Sequence, residues 1–229
     1  MQISFILYKP ATPGNIGAAA RAIKTMGFSD LRLIDPCDHL AEEAKMFAHG
    51  SLDILKNARV FHGFEESISD LDFTIATTAK KRSAKEDYLE ASKLSHFLNE
   101  KEPRIKKAGI VFGTEESGLP NEIIASCDAA SSIAMKTKYP SLNLGQAVML
   151  YAYELAGLKS EPGKSENGDT ESFPELKKRI AGILINIGIP EEMPLHSRIL
   201  ERISHMNGGD INLLHSVSAR LSKFLEEKD

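Results

Sequence analysis

Short apolar runs alternate along this chain with stretches whose apolar positions recur every three to four residues. Ile3–Tyr8, rich in β-branched and aromatic residues, reads as a buried strand ended by Pro10 and Pro13-Gly14. Gly14–Gly27 carries Ala18, Ala19, Ala20 and Ala22 and predicts a helix, with Asn15 as its N-cap and Gly27 just past its end. Leu31–Ile34 is a second strand, closed by Asp35-Pro36. Weaker helical patterns follow over His39–Ala48 and Ser51–Asn57, then a strand at Arg59–Phe61 and a short acidic helix at Gly63–Ser69. Phe73–Thr77 predicts a strand, Ala79–Asp87 a polar loop, Glu90–Asn99 a helix and Ala108–Phe112 a strand. A short helix at Asn121–Ser126 leads to a strand at Ser132–Met135, a basic loop, and a long amphipathic helix after Asn143. This β-α-β-α rhythm is that of an α/β fold, a parallel sheet covered on both faces.

The pattern breaks at residues 159–173, which hold almost no large apolar residue and read as a flexible linker. Periodicity resumes in Leu176–Ile187, Ile199–Met206 and Asn212–Leu225, so 174–229 is expected to be a small helical extension. Too short to bury a core of its own, it is expected to pack on the rest. Residues 1–158 form the α/β domain.

The 229 residues carry a formal net charge of −4, which neither signals nor excludes a nucleic-acid partner, since a local basic face suffices. Cys37 and Cys127 are far apart and in no ligand spacing, so neither a structural disulfide nor a metal is expected. The N-terminal residues read as a first strand rather than a leader. No apolar run approaches the roughly 18 residues of a membrane span, and the cytoplasm is the expected location.

Three strand–loop–helix junctions concentrate glycines and small polar residues. The first, Gly14-Asn15-Ile16-Gly17-Ala18-Ala19-Ala20-Arg21, has the G-x-x-G-x-x-A spacing of a degenerate dinucleotide fingerprint, with Asp35 about 20 residues on. The second, Phe112-Gly113-Thr114-Glu115-Glu116-Ser117-Gly118-Leu119, has glycines at either side of an acidic pair. The third is Pro140-Ser141-Leu142-Asn143. Each alone could be a capped turn. Together they gather where ligand sites of parallel sheets lie, at the carboxyl ends of strands. An NAD oxidoreductase would use the first junction and leave Glu115 and Ser141-Leu142-Asn143 without a role.

N-x-G-x-x-A-R (Asn15 to Arg21), F-G-x-E-x-x-G-L (Phe112 to Leu119) and S-L-N (Ser141 to Asn143), in this order, resemble the three motifs of the SpoU branch of the SPOUT methyltransferases. The longer match, with a helical C-terminal extension, is similar to the bacterial TrmJ type, which methylates a tRNA ribose. The resemblance implies a SPOUT domain with a deep trefoil knot near its C-terminal end and an obligate homodimer. It implies S-adenosyl-L-methionine bound by Thr77, Thr78, Ala79, Gly113, Ile133, Pro140, Ser141 and Leu142. The substrate implied is the 2′-hydroxyl of cytidine or uridine 32 in tRNA, with another tRNA position or rRNA as the alternative. A silent RNA-binding module of the same fold is a further alternative, against which stand Asn15, Arg21, Glu115 and Asn143.

The catalytic residues implied are Arg21, Asn15, Glu115, Ser141 and Asn143, with Arg21 reaching the site of the other subunit. A guanidinium keeps its proton in proteins, so Arg21 is expected to clamp a phosphate rather than act as a base. Lys80, Lys81, Arg82, Lys136 and Lys138, with Arg21, form the expected RNA-binding set. In the tail from His196 to Gly209, Arg198 and Arg202 are the firm positive charges, few for a strong RNA-binding extension.

Overall fold

The structure, a computed structural model, describes residues 1–80, 82–102, 104–136, 142–158 and 172–226. Its strands are β1 (Gln2–Tyr8), β2 (Asp30–Ile34), β3 (Arg59–Phe61), β4 (Phe73–Thr77), β5 (Tyr88–Glu90), β6 (Lys107–Phe112) and β7 (Ala129–Ser132). They form one sheet in the order β3-β2-β1-β6-β4-β7-β5, and every neighbouring pair is parallel. The helices are α1 (Pro13–Thr25), α2 (Glu42–Ala48), α3 (Leu52–Lys56), α4 (Phe64–Ile68), α5 (Leu94–Asn99), α6 (Asn121–Ser126), α7 (Leu144–Leu155), α8 (Phe173–Asn186), α9 (Pro194–Ser204) and α10 (Gly208–Glu226).

The central strands are buried on both faces, which is why they read as continuous apolar runs. Phe5 and Leu7 of β1 share a core with Phe112, Ile16 and Ile23 of α1 and Val148 of α7. Ile6, on the other face, packs with Ile34, Ala76, Val111 and Ile124. From β1 the chain winds outward through β2 to β3. It then returns to the far side of β1, where β6 is inserted between β1 and β4. The connections leaving β1 and β6 therefore diverge, and a crevice opens between their carboxyl ends, the usual ligand position in such sheets.

Three expectations need correction. Asn15 does not cap α1: the helix starts at Pro13, Thr12 holds the cap position without a side-chain bond, and Asn15 sits in the first turn. The strand expected at Ser132–Met135 is instead Ala129–Ser132. Its small residues carry little apolar signal, and Ile133 and Met135 just beyond it line a cavity. The segment expected as one helix from Glu90 begins with the edge strand β5 and a 3-10 turn before α5.

The C-terminal helices share the main core. Phe173 is fully buried with its ring centroid 5.4 Å from that of Phe73. Lys177 pairs with the buried carboxylate of Asp128, which also accepts from the amide and hydroxyl of Thr74. Lys101, 1% exposed, lies between the rings of Phe97, Phe73 and Phe173 at 4.5, 5.6 and 5.8 Å, and its Nζ donates to the Met206 carbonyl at 2.5 Å. The expected linker lies mainly outside the described residues.

Candidate active site

The crevice between β1 and β6 is closed by a chain of hydrogen bonds through three of the expected site residues. Glu115, from the loop after β6, reaches across to the start of α1. Its Oε2 accepts from the Ala11 amide at 3.1 Å. Its Oε1 accepts from the Thr12 amide at 3.2 Å and from Asn15 Nδ2 at 3.0 Å. Asn15 Oδ1 in turn accepts from Asn143 Nδ2 at 2.6 Å, and Asn143 Oδ1 caps α7 by accepting from the Gly145 amide at 2.9 Å. Gln146 completes a capping box with the Asn143 amide. Partial burial raises the Glu115 pKa, but the Asn15 amide and the backbone N–H groups outweigh it and hold the carboxyl below its ordinary range. Glu115 is thus an ionised strut with both oxygens engaged, unsuited to accept a proton from substrate.

Beside this chain lies a cavity of ≈ 330 Å³ at the carboxyl ends of β4, β6 and β7. Of the residues that the resemblance assigns to the donor, Thr77, Thr78, Ala79, Gly113, Ile133 and Leu142 line it. Pro140 and Ser141 lie outside the described residues, as do Lys81 and Lys138. The wall is set by local chemistry. Thr77 donates its hydroxyl to the Val111 carbonyl at 2.9 Å, tying the end of β4 to β6. Thr114 and Gly118 exchange backbone hydrogen bonds of 3.2 and 3.0 Å, folding the Glu115 loop back on itself. Gly118 has φ +73°, and a Cβ on Gly113 would overlap the backbone of Gly118 and Leu119.

Sequence reasoning missed Tyr151 and the inward use of Arg82. Tyr151, buried on α7, lines the cavity floor and donates to Ser131 Oγ at 3.1 Å; its burial raises the phenol pKa. Arg82, expected to face RNA, spans the mouth of the loop after β6. Its guanidinium donates to the carbonyls of Ser117 at 2.8 Å and Leu119 at 3.0 Å. Helical periodicity around residue 151 marks only a core tyrosine, and nothing local ties Arg82 to residues 117–119.

Arg21 is exposed about one and two-thirds turns beyond Asn15 on α1, about 9 Å along the axis. Among the described residues its guanidinium makes no hydrogen bond or ion pair. Lys80 is exposed at the cavity rim, and Lys136 is exposed just after the cavity-lining Met135. The dinucleotide reading meets an obstacle at Gly14: a Cβ there would lie 2.6 Å from the Glu43 carboxylate and 3.1 Å from the Phe47 ring, so the space a pyrophosphate would approach holds a carboxylate and a ring. Asp35 faces His62 Nδ1 at 3.3 Å.

Comparison with known proteins agrees with this geometry. Residues 2–153 match the SpoU rRNA Methylase family, and residues 170–225 match the C-terminal domain of the tRNA/rRNA methyltransferase LasT. The chain is 42% identical over 224 residues to an uncharacterized tRNA/rRNA methyltransferase LasT of Escherichia coli, covering 97% of this chain and 98% of that one. It is 39% identical over 158 residues to the tRNA (cytidine-2'-O-)-methyltransferase TrmJ of Methanocaldococcus jannaschii, covering 68% and 67%. The crystal structure of TrmJ from Z. mobilis superposes with a TM-score of 0.65 at 27% identity, over 97% of this chain and 100% of that one.

Proposed function

We propose, from the premise that this chain belongs to the SpoU rRNA Methylase family and is a TrmJ-like methyltransferase, that it methylates the ribose 2′-hydroxyl of cytidine or uridine 32 in tRNA. The methyl donor is S-adenosyl-L-methionine. One observation carries the reading: the second and third motifs supply Phe112–Gly118 and Leu142 to the wall of one cavity, and Asn15 of the first motif is tied to both through Glu115 and Asn143.

The cavity suits the donor. Its volume of ≈ 330 Å³ lies at the lower end of small-molecule sites, of roughly 300–1,000 Å³. Ile133, Leu142 and Leu144 offer an apolar wall for a purine. Gly113, without a Cβ, lets the backbone of Gly118 and Leu119 pack against it and so shapes this side of the cavity. Thr77, Thr78, Ala79, Pro140 and Ser141 complete the binding set. When bound, the donor supplies an electrophilic methyl on a sulfonium.

The chain's own residues supply position and charge. Glu115 orders the start of α1, Asn15 orders Asn143, and Asn143 fixes the end of the loop that carries Ser141. Arg21, contributed by the second subunit of a homodimer, clamps the phosphate beside the target ribose and lowers the pKa of the 2′-hydroxyl. Leu150 and Tyr153, 40% and 65% exposed on α7, offer apolar surface for that second copy. Lys80, Lys81, Lys136 and Lys138 take further phosphates around the rim. The SPOUT domain spans 1–158 and is closed by a trefoil knot, 159–173 is a linker, and 174–229 is the extension. Action on tRNA places the protein in the cytoplasm; among the described residues no helix is long and apolar enough to cross a membrane.

The test is to incubate the protein with tRNA and labelled donor and to map 2′-O-methyl groups. A methyl on ribose 32 is expected, and its absence from tRNA overturns the assignment. The likeness to a LasT protein described for tRNA and rRNA keeps a second reading, methylation of another tRNA position or of rRNA. The same mapping on total RNA separates the two.

A further inference from the structure

The loop between β4 and β5 walls the cavity, and its described residues form no helix or strand, so its shape depends on what holds its two ends. On the cavity side Arg82 is bonded to the carbonyls of Ser117 and Leu119. The hydroxyl of Tyr88 clasps the Arg82 backbone, accepting from its amide at 2.8 Å and donating to its carbonyl at 2.9 Å. At the far end the loop meets α9 of the C-terminal extension. Glu201, 7% exposed, turns its carboxylate onto two consecutive amides: Glu86 N–H donates to Oε1 at 2.9 Å and Asp87 N–H at 3.1 Å. Arg198 pairs with Glu201 Oε2 at 3.2 Å, with Asp87 at 3.0 Å and with Glu86 at 3.0 Å. Arg202 reaches Asp87 at 2.8 Å.

A buried carboxylate is costly unless its lone pairs are matched. Burial does push the Glu201 pKa up, yet the amides of Asp87 and Glu86 and the Arg198 guanidinium more than offset it, so the group is charged and bonded. The two firm cations of the α9 segment, Arg198 and Arg202, are thereby both paired with carboxylates of the α/β domain.

We propose that Glu201 is a positioning residue for the cofactor cavity: seated on the amides of Glu86 and Asp87, it fixes the β4–β5 loop and, through Arg82, the 114–119 loop. The route is short. Glu201 holds residues 86 and 87, Tyr88 holds Arg82, Arg82 holds Ser117 and Leu119, and that loop presents Glu115 to Asn15. The extension then acts on donor binding rather than only on RNA capture or folding. This rests on the proposed function for the identity of the ligand, but not for the contacts.

The experiment compares wild type with Glu201→Ala, Glu201→Gln and Arg82→Ala in the full chain. S-Adenosylmethionine affinity is measured by calorimetry and amide exchange across residues 82–88 and 114–119 by mass spectrometry. Glu201→Ala is expected to weaken donor binding roughly tenfold, in the range of ordinary coupling between sites. It should speed exchange in both segments and raise KM for the donor with kcat at saturation little changed. Glu201→Gln, which keeps an acceptor for the amides, should retain most of the affinity. Glu201→Ala and Arg82→Ala combined should be clearly less than additive, because they lie on one route. A variant whose Tm falls while donor affinity and exchange at 114–119 stay at wild-type values overturns the proposal and leaves a plain structural contact. If wild type itself binds no donor, the proposed function fails, and the exchange at 114–119 still decides this proposal.

Discussion

Lys101 offers a test in which titration can be separated from packing. Its ammonium sits among three phenylalanine rings, with the Met206 carbonyl as its acceptor. Burial lowers its pKa from 10.5 to about 8, while the carboxylates of Glu100 and Asp128 work the other way. Each pKa unit is worth about 1.4 kcal/mol, so this corresponds to at most roughly 3.5 kcal/mol. The sign follows from linkage. Between pH 8 and 10.5 the unfolded chain binds the proton that the folded chain has released, so this group's contribution to stability rises with pH there. Above 10.5 the penalty is gone; below 8 it is complete. Lys101→Met removes the titration and also leaves the Met206 carbonyl unpaired, a loss of about 1–3 kcal/mol that does not depend on pH. Cys127 and Tyr151, whose pKa values burial raises, titrate in both proteins and cancel in the difference. Urea unfolding of wild type and Lys101→Met at intervals from pH 7 to 10.5 therefore reads the shift directly. Wild type should gain about 2–3 kcal/mol on the variant across that range. Two stability curves running parallel with pH would refute the reasoning, because the lysine would then be as free to titrate folded as unfolded.

Three further outcomes test the site. Glu115→Gln must turn an NH₂ group toward one of the N–H donors it now accepts from; kcat/KM should fall roughly 10–100-fold with Tm nearly unchanged, as steady-state kinetics beside a thermal scan will show. Gly113→Ala forces a Cβ into the Gly118–Leu119 backbone; it should cost about 1–3 kcal/mol in unfolding assays and at least about tenfold in donor affinity by calorimetry. Arg21→Ala should depress methyl transfer by roughly 100-fold or more with donor affinity intact, and rescue of most activity by Arg21→Lys would show that charge, not fork geometry, is what the site needs.

The central strands were legible because burial on both faces writes an unbroken apolar run, as in Ile3–Leu7 and Ala108–Phe112. β7 was misplaced for the opposite reason. Ala129-Ala130-Ser131-Ser132 pairs with β4 through its backbone, and small side chains leave no mark in a hydropathy pattern. β5 is three residues at an edge, half-buried and without alternation. At the site, the Asn143 cap could be read locally, since its partners are Gly145 and Gln146. Asn15 could not, since an asparagine before a helical run looks like a cap whether or not a glutamate 100 positions away claims its side chain. Arg82 and Glu201 were illegible for the same reason. Their partners are backbone groups, which have no identity in a sequence. The cavity residues were found by motif resemblance, not by periodicity.

The bond between Asn15 and Asn143 joins positions 128 residues apart. A growing chain that has finished β1 and α1 still lacks most of its pocket until β7 and the start of α7 have been made and docked. Contacts of such long sequence separation form slowly and late. Under the function proposed above, donor affinity is thus a readout of completed folding: a truncated or stalled chain holding native strands is expected to be blind to the ligand.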